Sequence, residues 1–346
     1  MSDLSYRLGE FETRVRFLSR EQAPEQLSEG VQCLWVFDSN TRSLVDATVD
    51  NALVLPPGEQ HKSWTSVDKI LYEAVNLGLG RDACFVGCGG GVVCDLCAFA
   101  ASIYMRGARL VLIPTTLLAM VDAALGGKTG MDYGGYKNMV GTFFPASEVR
   151  VVVDYLRTLP EREFRSGMAE VIKHSLLVRN DLKDRLRSKR EKIMRRDPDV
   201  LAEVIPEAMA VKGEIVAEDL RETGRRATLN LGHTFAHALE SAAGFAGMSH
   251  GEAVGWGIEK ALRLGVRIGV TPSDYASEVT DFLRAYGFRL DTPAGLIDPI
   301  LAAMHMDKKK RAGRVRFILQ RDWGDTFLRE VDESAVREVL VRSVER

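Results

Sequence analysis

No stretch of this sequence approaches the ~20 consecutive apolar residues that a membrane-spanning helix requires, which excludes a helical membrane protein. No leader is visible either. Asp3, Glu10 and Glu12 fall where a secretory signal would carry its apolar core, so the cytoplasm is the expected compartment. Charge of one sign is missing too. The 46 Lys and Arg offset 48 Asp and Glu for a net charge of −2, which argues against a broad attraction to nucleic acid or a membrane surface and leaves only a local cationic pocket open. Cysteine is scarce and odd in number, five in all, so no disulfide framework is expected in a large cytoplasmic chain. Internal repeats and low-complexity segments are absent. What is there is 346 residues, 46% hydrophobic and 27% charged, an ordinary globular composition long enough for two domains at ~150 residues each.

Up to about Tyr155 the sequence alternates strand-like and helix-like patterns. Cys33–Phe37 and Ala52–Leu55 are apolar runs closed by the turn signals Asp38-Ser39-Asn40 and Pro56-Pro57-Gly58. Cys84–Val86, Leu110–Ile113 and Val149–Val153 read as further strands, Val67–Leu77 and Val92–Tyr104 as helices. Continuous apolar strands separated by helices predict a parallel sheet covered on both faces. The pattern changes at Leu159-Pro160. Helical spacing follows over Ala169–Val178, Val200–Val216, Leu229–Ala243, Gly251–Gly265 and Ser273–Ala285. An α/β domain over 1–158 and a mostly α-helical domain over 159–346 are expected, with the active site in the cleft between them, a common place for small-molecule sites.

Four motifs carry chemistry. Gly87-Cys88-Gly89-Gly90-Gly91-Val92-Val93-Cys94-Asp95 follows a strand and opens a helix, where glycines let backbone N–H groups approach a pyrophosphate. Gly89-x-Gly91-x-x-Cys94 is nearly the dinucleotide fingerprint, with Cys at its third glycine, although many glycine turns bind nothing. Cys84, Cys88, Cys94 and Cys97 fall within fourteen residues and include a CxxC pair. A metal cluster is the sharp reading; buried thiols in a strand and a packed helix is the expected one. Gly126-Gly127-Lys128-Thr129 is not a P-loop, because Asp122 stands where the first glycine is needed.

Three of the six histidines, His233, His237 and His250, fall within eighteen residues. His233 and His237 share a helix face, but Thr234 stands where a zinc protease needs its catalytic Glu. With an acid available at Glu170, the cluster favours a catalytic divalent metal over packed core histidines. Lys173 lies three residues after Glu170 and can point the same way. Arg106, Lys128, Lys137, Lys212, Arg226 and the Lys308-Lys309 pair complete a scatter of cations, each of which taken singly is a surface charge. The basic run at Lys308 is too short for a nucleic-acid patch.

In order along the chain, GGGVVCDLCAF, YMRG, PTTLLAMVDAALGGKTG, YKNMVG, GMAEVIKH, LNLGHTFAHALE, HGEAV and DKKKRAGRVRFIL resemble the 3-dehydroquinate synthase family of the sugar-phosphate cyclases, over about Asp38 to Leu319. The resemblance implies a Rossmann-like sheet binding NAD in the first domain and a divalent metal, zinc or cobalt, in the helical one. It implies Glu170, His233 and His250 as metal ligands. Asp38, Asn40, Glu59, Lys62, Gly90, Gly91, Val92, Asp95, Thr115, Thr116 and Asn138 would line the NAD site. Arg106, Asp122, Lys128, Lys137, Lys173, Lys212, Arg226, Asn230, His237 and one of Lys308 or Lys309 would surround the substrate, with Glu222 and His237 at the proton-transfer positions. Cys94 in place of glycine and Ser166, where Asn or Ala is more usual, are departures expected on the NAD side; His174 stands where Tyr is common.

The implied reaction converts 3-deoxy-arabino-heptulosonate 7-phosphate to 3-dehydroquinate and phosphate, by transient oxidation with NAD, phosphate elimination, re-reduction and intramolecular aldol closure. That makes the chain a lyase of aromatic amino-acid biosynthesis, with a small sugar phosphate as its partner and a homodimer as the family expectation. Another sugar-phosphate cyclase, a metal-dependent NAD polyol dehydrogenase and a non-catalytic metal- or nucleic-acid-binding protein are the alternatives. The dehydrogenase has no need for so many phosphate-binding cations.

Overall fold

The computed structural model describes residues 3–25, 30–45, 49–244, 248–310 and 315–342, with side chains of 306–310 left aside. Two compact units form, 1–160 with 192–221, and 161–191 with 222–346.

The first unit is built on a seven-stranded sheet. Its strands are β1 (Leu4–Leu8), β2 (Phe11–Phe17), β3 (Cys33–Asp38), β4 (Ala52–Leu55), β5 (Cys84–Gly89), β6 (Arg109–Pro114) and, after a small hairpin of β7 (Met131–Tyr133) and β8 (Tyr136–Val140), β9 (Glu148–Val151). Their order is β1-β2-β9-β6-β5-β3-β4, parallel except for the β1–β2 hairpin. β5 is buried along its whole length, as a central strand covered on both faces must be. α1 (Trp64–Asn76) and α2 (Gly91–Ile103) pack against one another, and α2 lies on β5 with Val93, Cys94 and Leu96–Ala101 buried. Cys84 and Cys88 sit in β5 and Cys94 and Cys97 on α2, all four as buried free thiols. Burial pushes the Cys88 and Cys97 thiols up, which keeps them protonated.

The second unit holds α3 (Glu161–Leu177), α4 (Leu182–Ser188), α7 (His233–Ala242), α8 (His250–Arg267), α9 (Ser273–Ala285), α10 (Ile297–Lys310), the hairpin of β10 (Arg316–Asp322) and β11 (Asp325–Glu330), and α11 (Glu333–Arg342). Its core gathers Phe235, Trp256 and Phe317, the Phe235 ring centroid 6.0 Å from Trp256 and 5.1 Å from Phe317. The short α5 (Arg190–Met194) and the long α6 (Pro198–Glu218) follow α4 in the chain. α6 starts at the Asp197 cap, whose carboxylate accepts from Asp199 N and Val200 N. Grouped by sequence with the helical half, α6 belongs to the first unit, where it packs on β1 and on a π-helical turn at Ala119–Ala123. Gly213 is where the Tyr6 ring crosses it; a Cβ there would strike that ring.

One expected helix is broken. Leu229–Ala243 carries helical spacing throughout, yet a 3-10 turn at Arg225–Asn230 ends before Leu231, and α7 starts only after Gly232 at φ +81°. A Cβ on Gly232 would stand 2.7 Å from Ile258 N, and one on Gly257 would strike the Gly232 carbonyl oxygen, so α7 and α8 meet here backbone to backbone. Among the described residues, no helix is long and apolar enough to cross a membrane.

Candidate functional site

Glu170 lies in the middle of α3, a segment buried from Ser166 to Leu177. A carboxylate there is costly unless paired. Lys173, one turn on, supplies an ion pair to Oε2, and the pair is almost fully buried. Oε1 has no hydrogen-bond partner. It faces His233 Nε2 at 3.7 Å and His250 Nε2 at 3.8 Å. Ligand atoms of the three residues all lie within 4.8 Å of one another. Two atoms each bonded to one zinc-sized ion at ~2.0–2.2 Å stand ~3.3–3.8 Å apart at tetrahedral to trigonal angles. One carboxylate and two imidazoles around an unsatisfied buried oxygen fit a divalent ion with a further coordination position left for substrate.

The ring tautomers agree with that use. His233 Nδ1 is 3.3 Å from the Leu231 carbonyl oxygen. A carbonyl only accepts, so Nδ1 carries the proton and Nε2 keeps its lone pair for a ligand. The break before α7 turns that carbonyl toward the ring. His250 opens α8 and is fixed by a capping box: Ser249 Oγ accepts from Glu252 N at 3.3 Å, and Glu252 Oε2 accepts from Ser249 N at 2.6 Å. Burial works against the Glu252 charge, but these bonds and Arg162 hold its carboxyl below the usual range.

Ser166 corrects an expectation. It lies one turn before Glu170 on the same face of α3 and accepts from Gly251 N at 3.0 Å, next to His250. The departure from the family pattern therefore touches the histidine side, not the nucleotide side. A Cβ on Gly251 would strike the Ser166 backbone, and only a glycine lets α8 start this close to α3. His237 shares the His233 face as its spacing predicts, with ring centroids 5.4 Å apart, but it stays outside the three-residue cluster. Asn230 Nδ2 donates to Glu222 Oε1, Arg226 is buried in the 3-10 turn, and the buried His174 follows Lys173. The Lys308 and Lys309 side chains lie outside the described residues. Sequence reasoning missed Glu240, whose Oε1 is 3.4 Å from His250 Nδ1; only its helical offset of seven from His233 hinted at a shared face.

In the first unit, the carboxyl ends of β3, β5 and β6 lie side by side, where doubly wound sheets bind nucleotides. Asp38 ends β3, and its Oδ1 accepts from Asn40 N at 2.9 Å and Thr41 N at 3.0 Å. After β5 the chain turns through Gly90 and Gly91 into α2. A Cβ on Gly89 would lie 2.6 Å from Val93 Cβ, so the first helical turn, with Val92, rides directly on the strand end. Thr115 and Thr116 follow β6; Thr115 N donates to Gly89 O at 2.9 Å, and Thr116 Oγ1 accepts from Ala119 N. Buried Lys62 joins Asp95 Oδ2 and Asn138 Oδ1, both at 2.6 Å. Burial alone would lower the Lys62 ammonium, but the carboxylates of Asp95 and Glu59 outweigh it and hold its pKa above the ordinary value. Lys137 reaches Glu59 at 3.9 Å, and Lys212 Nζ reaches both Asp122 Oδ1 and its carbonyl at 2.6 Å. Arg106 and Lys128 are exposed, Arg106 on a left-handed backbone at φ +69°.

The family descriptions 3-dehydroquinate synthase N-terminal and C-terminal match residues 52–166 and 167–310. The chain belongs to the 3-dehydroquinate synthase family. A 3-dehydroquinate synthase of Xylella fastidiosa is 42% identical over 297 residues, 84% of this chain and 80% of the relative. Among solved structures, 2-epi-5-epi-valiolone synthase from Streptomyces hygroscopicus subsp. jinggangensis, with NAD+ and Zn2+ bound, is 27% identical with a TM-score of 0.86, covering 99% of this chain and 97% of that one. A 2-deoxy-scyllo-inosose synthase complexed with carbaglucose-6-phosphate, NAD+ and Co2+ has a TM-score of 0.87 over 99% of this chain and 100% of its own; at 23% identity that likeness speaks for the fold.

Proposed function

We propose that this chain is a phosphate-eliminating, carbocycle-forming lyase that converts 3-deoxy-arabino-heptulosonate 7-phosphate to 3-dehydroquinate and inorganic phosphate. The observation that carries the reading is the buried Glu170 carboxylate, neither oxygen hydrogen-bonded, whose Oε1 faces two imidazole Nε2 atoms in a chain of this family. NAD, when bound, takes up and returns one hydride with no net redox change, and a divalent ion, zinc or cobalt, polarises the reacting oxygens as a Lewis acid.

Glu170, His233 and His250 hold the ion. Lys173 balances the Glu170 charge and offers a buried cation to an anionic substrate oxygen. Glu222, held by Asn230, and His237 carry the proton transfers. Arg226 presents a planar fork suited to a carboxylate, with Asn230 four residues on. Lys212, steadied by Asp122, joins Arg106, Lys128, Lys137 and one of Lys308 or Lys309 in binding phosphate and carboxylate. The residues at the carboxyl ends of β3, β5 and β6, with Glu59, Lys62, Asp95 and Asn138, hold NAD. The place of this enzyme is aromatic amino-acid biosynthesis in the cytoplasm, as a homodimer whose mass light scattering can read.

Incubating the purified protein with the heptulosonate phosphate and catalytic NAD tests this. Phosphate and 3-dehydroquinate should appear one for one, without lasting NADH. Efficient cyclisation of carboxylate-free sedoheptulose 7-phosphate instead would make it a different sugar-phosphate cyclase, and accumulating NADH would make it a dehydrogenase. A charged contact of the Arg226 kind is worth ~1.5–3 kcal/mol, so Arg226→Ala should slow heptulosonate turnover roughly ten- to a hundred-fold while zinc and NAD still bind.

A further inference from the structure

The two imidazoles facing Glu170 are held in different ways. His233 leans on a neutral backbone carbonyl, Leu231 O at 3.3 Å. His250 leans on a carboxylate, Glu240 Oε1 at 3.4 Å, and that carboxylate is 7% exposed. Glu240 sits two turns along α7 from His233, on the same helix face, while His250 belongs to α8. A buried anion placed this way is costly unless it serves a partner.

We infer that Glu240 is a positioning residue for the metal: it accepts a hydrogen bond from His250 Nδ1–H and fixes the ring so that Nε2 points to Glu170. A carboxylate behind a histidine ligand also raises the basicity of the ring and restrains its rotation. His250 has more need of this than His233, because its side chain is 31% exposed against 12%. It also stands at the first position of a helix, beyond α7.

This inference rests on the metal reading above, and the experiment separates the two. Zinc(II) affinity is measured by competition with a chromophoric chelator for the full chain and for E240A, E240Q and H250A. E240A should bind zinc ~10–100-fold more weakly. E240Q, whose amide oxygen still accepts from Nδ1 but carries no charge, should fall between E240A and the parent. Both should alter the visible spectrum of the cobalt(II)-loaded protein, which a merely structural role would leave alone. Unchanged zinc affinity and an unchanged cobalt spectrum in E240A overturn the inference. If E240A does not fold, E240Q decides alone, and parental affinity in it overturns the inference. H250A losing zinc while the Glu240 variants keep it would remove this proposal only; H250A binding zinc as well as the parent would remove the metal reading and this proposal with it.

Discussion

Among the described residues of the second unit are two buried acid–lysine pairs, Glu170–Lys173 on α3 and Glu259–Lys260 on α8, and they differ in how fully their polar atoms are used. Lys260 Nζ donates to Glu259 Oε2 at 2.7 Å and to the Leu290 carbonyl, and lies 5.3 Å from the centre of the Trp256 ring. Glu259 Oε1 takes Arg263 as well. Both Glu259 oxygens are thereby engaged. Neither Glu170 oxygen has a hydrogen-bond partner; Oε2 is ion-paired to Lys173, and Oε1 faces two histidines. Burial is alike in the two pairs; the unspent acceptor facing two imidazoles is what supports reading the Glu170 pair as a site, because native interiors satisfy most such atoms.

Perturbing each pair should separate them. The largest effect is expected at the unsatisfied pair: His250→Ala, or treatment with a chelator, should remove bound metal and all measurable turnover, with zinc or cobalt restoring only the chelated parent. Full activity in a demonstrably metal-free preparation would break the comparison at its root. Next in size, Glu259→Ala should destabilise the fold by about 3–5 kcal/mol by stranding a buried ammonium, measured by urea denaturation, with zinc affinity unchanged. The double replacement Glu259→Leu with Lys260→Met should recover most of that loss, since paired charges exchange for apolar side chains at little net expense. A double variant as unstable as the single one would show that the pair does more than neutralise itself.

The smallest effect is a drift with pH. Burial lowers the pKa of Lys260, with Glu259 opposing, whereas Lys62 in the first unit is held above its ordinary value by Asp95 and Glu59. The signs are opposite. Stability from Lys62 is fully present below the unfolded lysine value of ~10.4 and is lost as pH rises through the higher folded value; the burden of a charged Lys260 is relieved as pH rises from its lowered folded value toward the unfolded one. Melting Lys62→Met and Lys260→Met against the parent between neutral pH and the lysine range should show the first difference shrinking and the second shifting toward the parent's favour. Parallel curves would deny the contrast.

Much of this was legible. Apolar runs closed by turn residues located β3 to β6, and the glycine turn before α2 needs glycine because Val93 sits against it. The histidine spacing gave the His233–His237 face. What escaped has physical causes. The β1–β2 hairpin shows no continuous apolar run because Leu4, Tyr6 and Leu8, then Phe11, Val15 and Phe17, are interrupted by polar residues, among them Arg14 and Arg16 and the buried Thr13, whose hydroxyl donates to Ala146 O. The break at Gly232 is hidden because apolar spacing continues across it. Glu240 looked like an ordinary helix position and Ser166 like one on the NAD side, since what gives each its role is a partner on another helix, His250 or Gly251, and spacing within one helix is silent on that. The grouping of α6 with the first unit is likewise a matter of what its apolar face meets.

The glycine contacts at Gly232–Gly257 and Gly251–Ser166 bear on how an ion would enter. At both places main chain rests on main chain, between α7 and α8 at the first and between α3 and α8 at the second, the helices that carry Glu170, His233 and His250. Little conformational freedom is therefore left to surrender when the ligands close on an ion. The empty and filled forms would share one backbone, and the free energy of loading would go into the bonds themselves and not into ordering the cage around them.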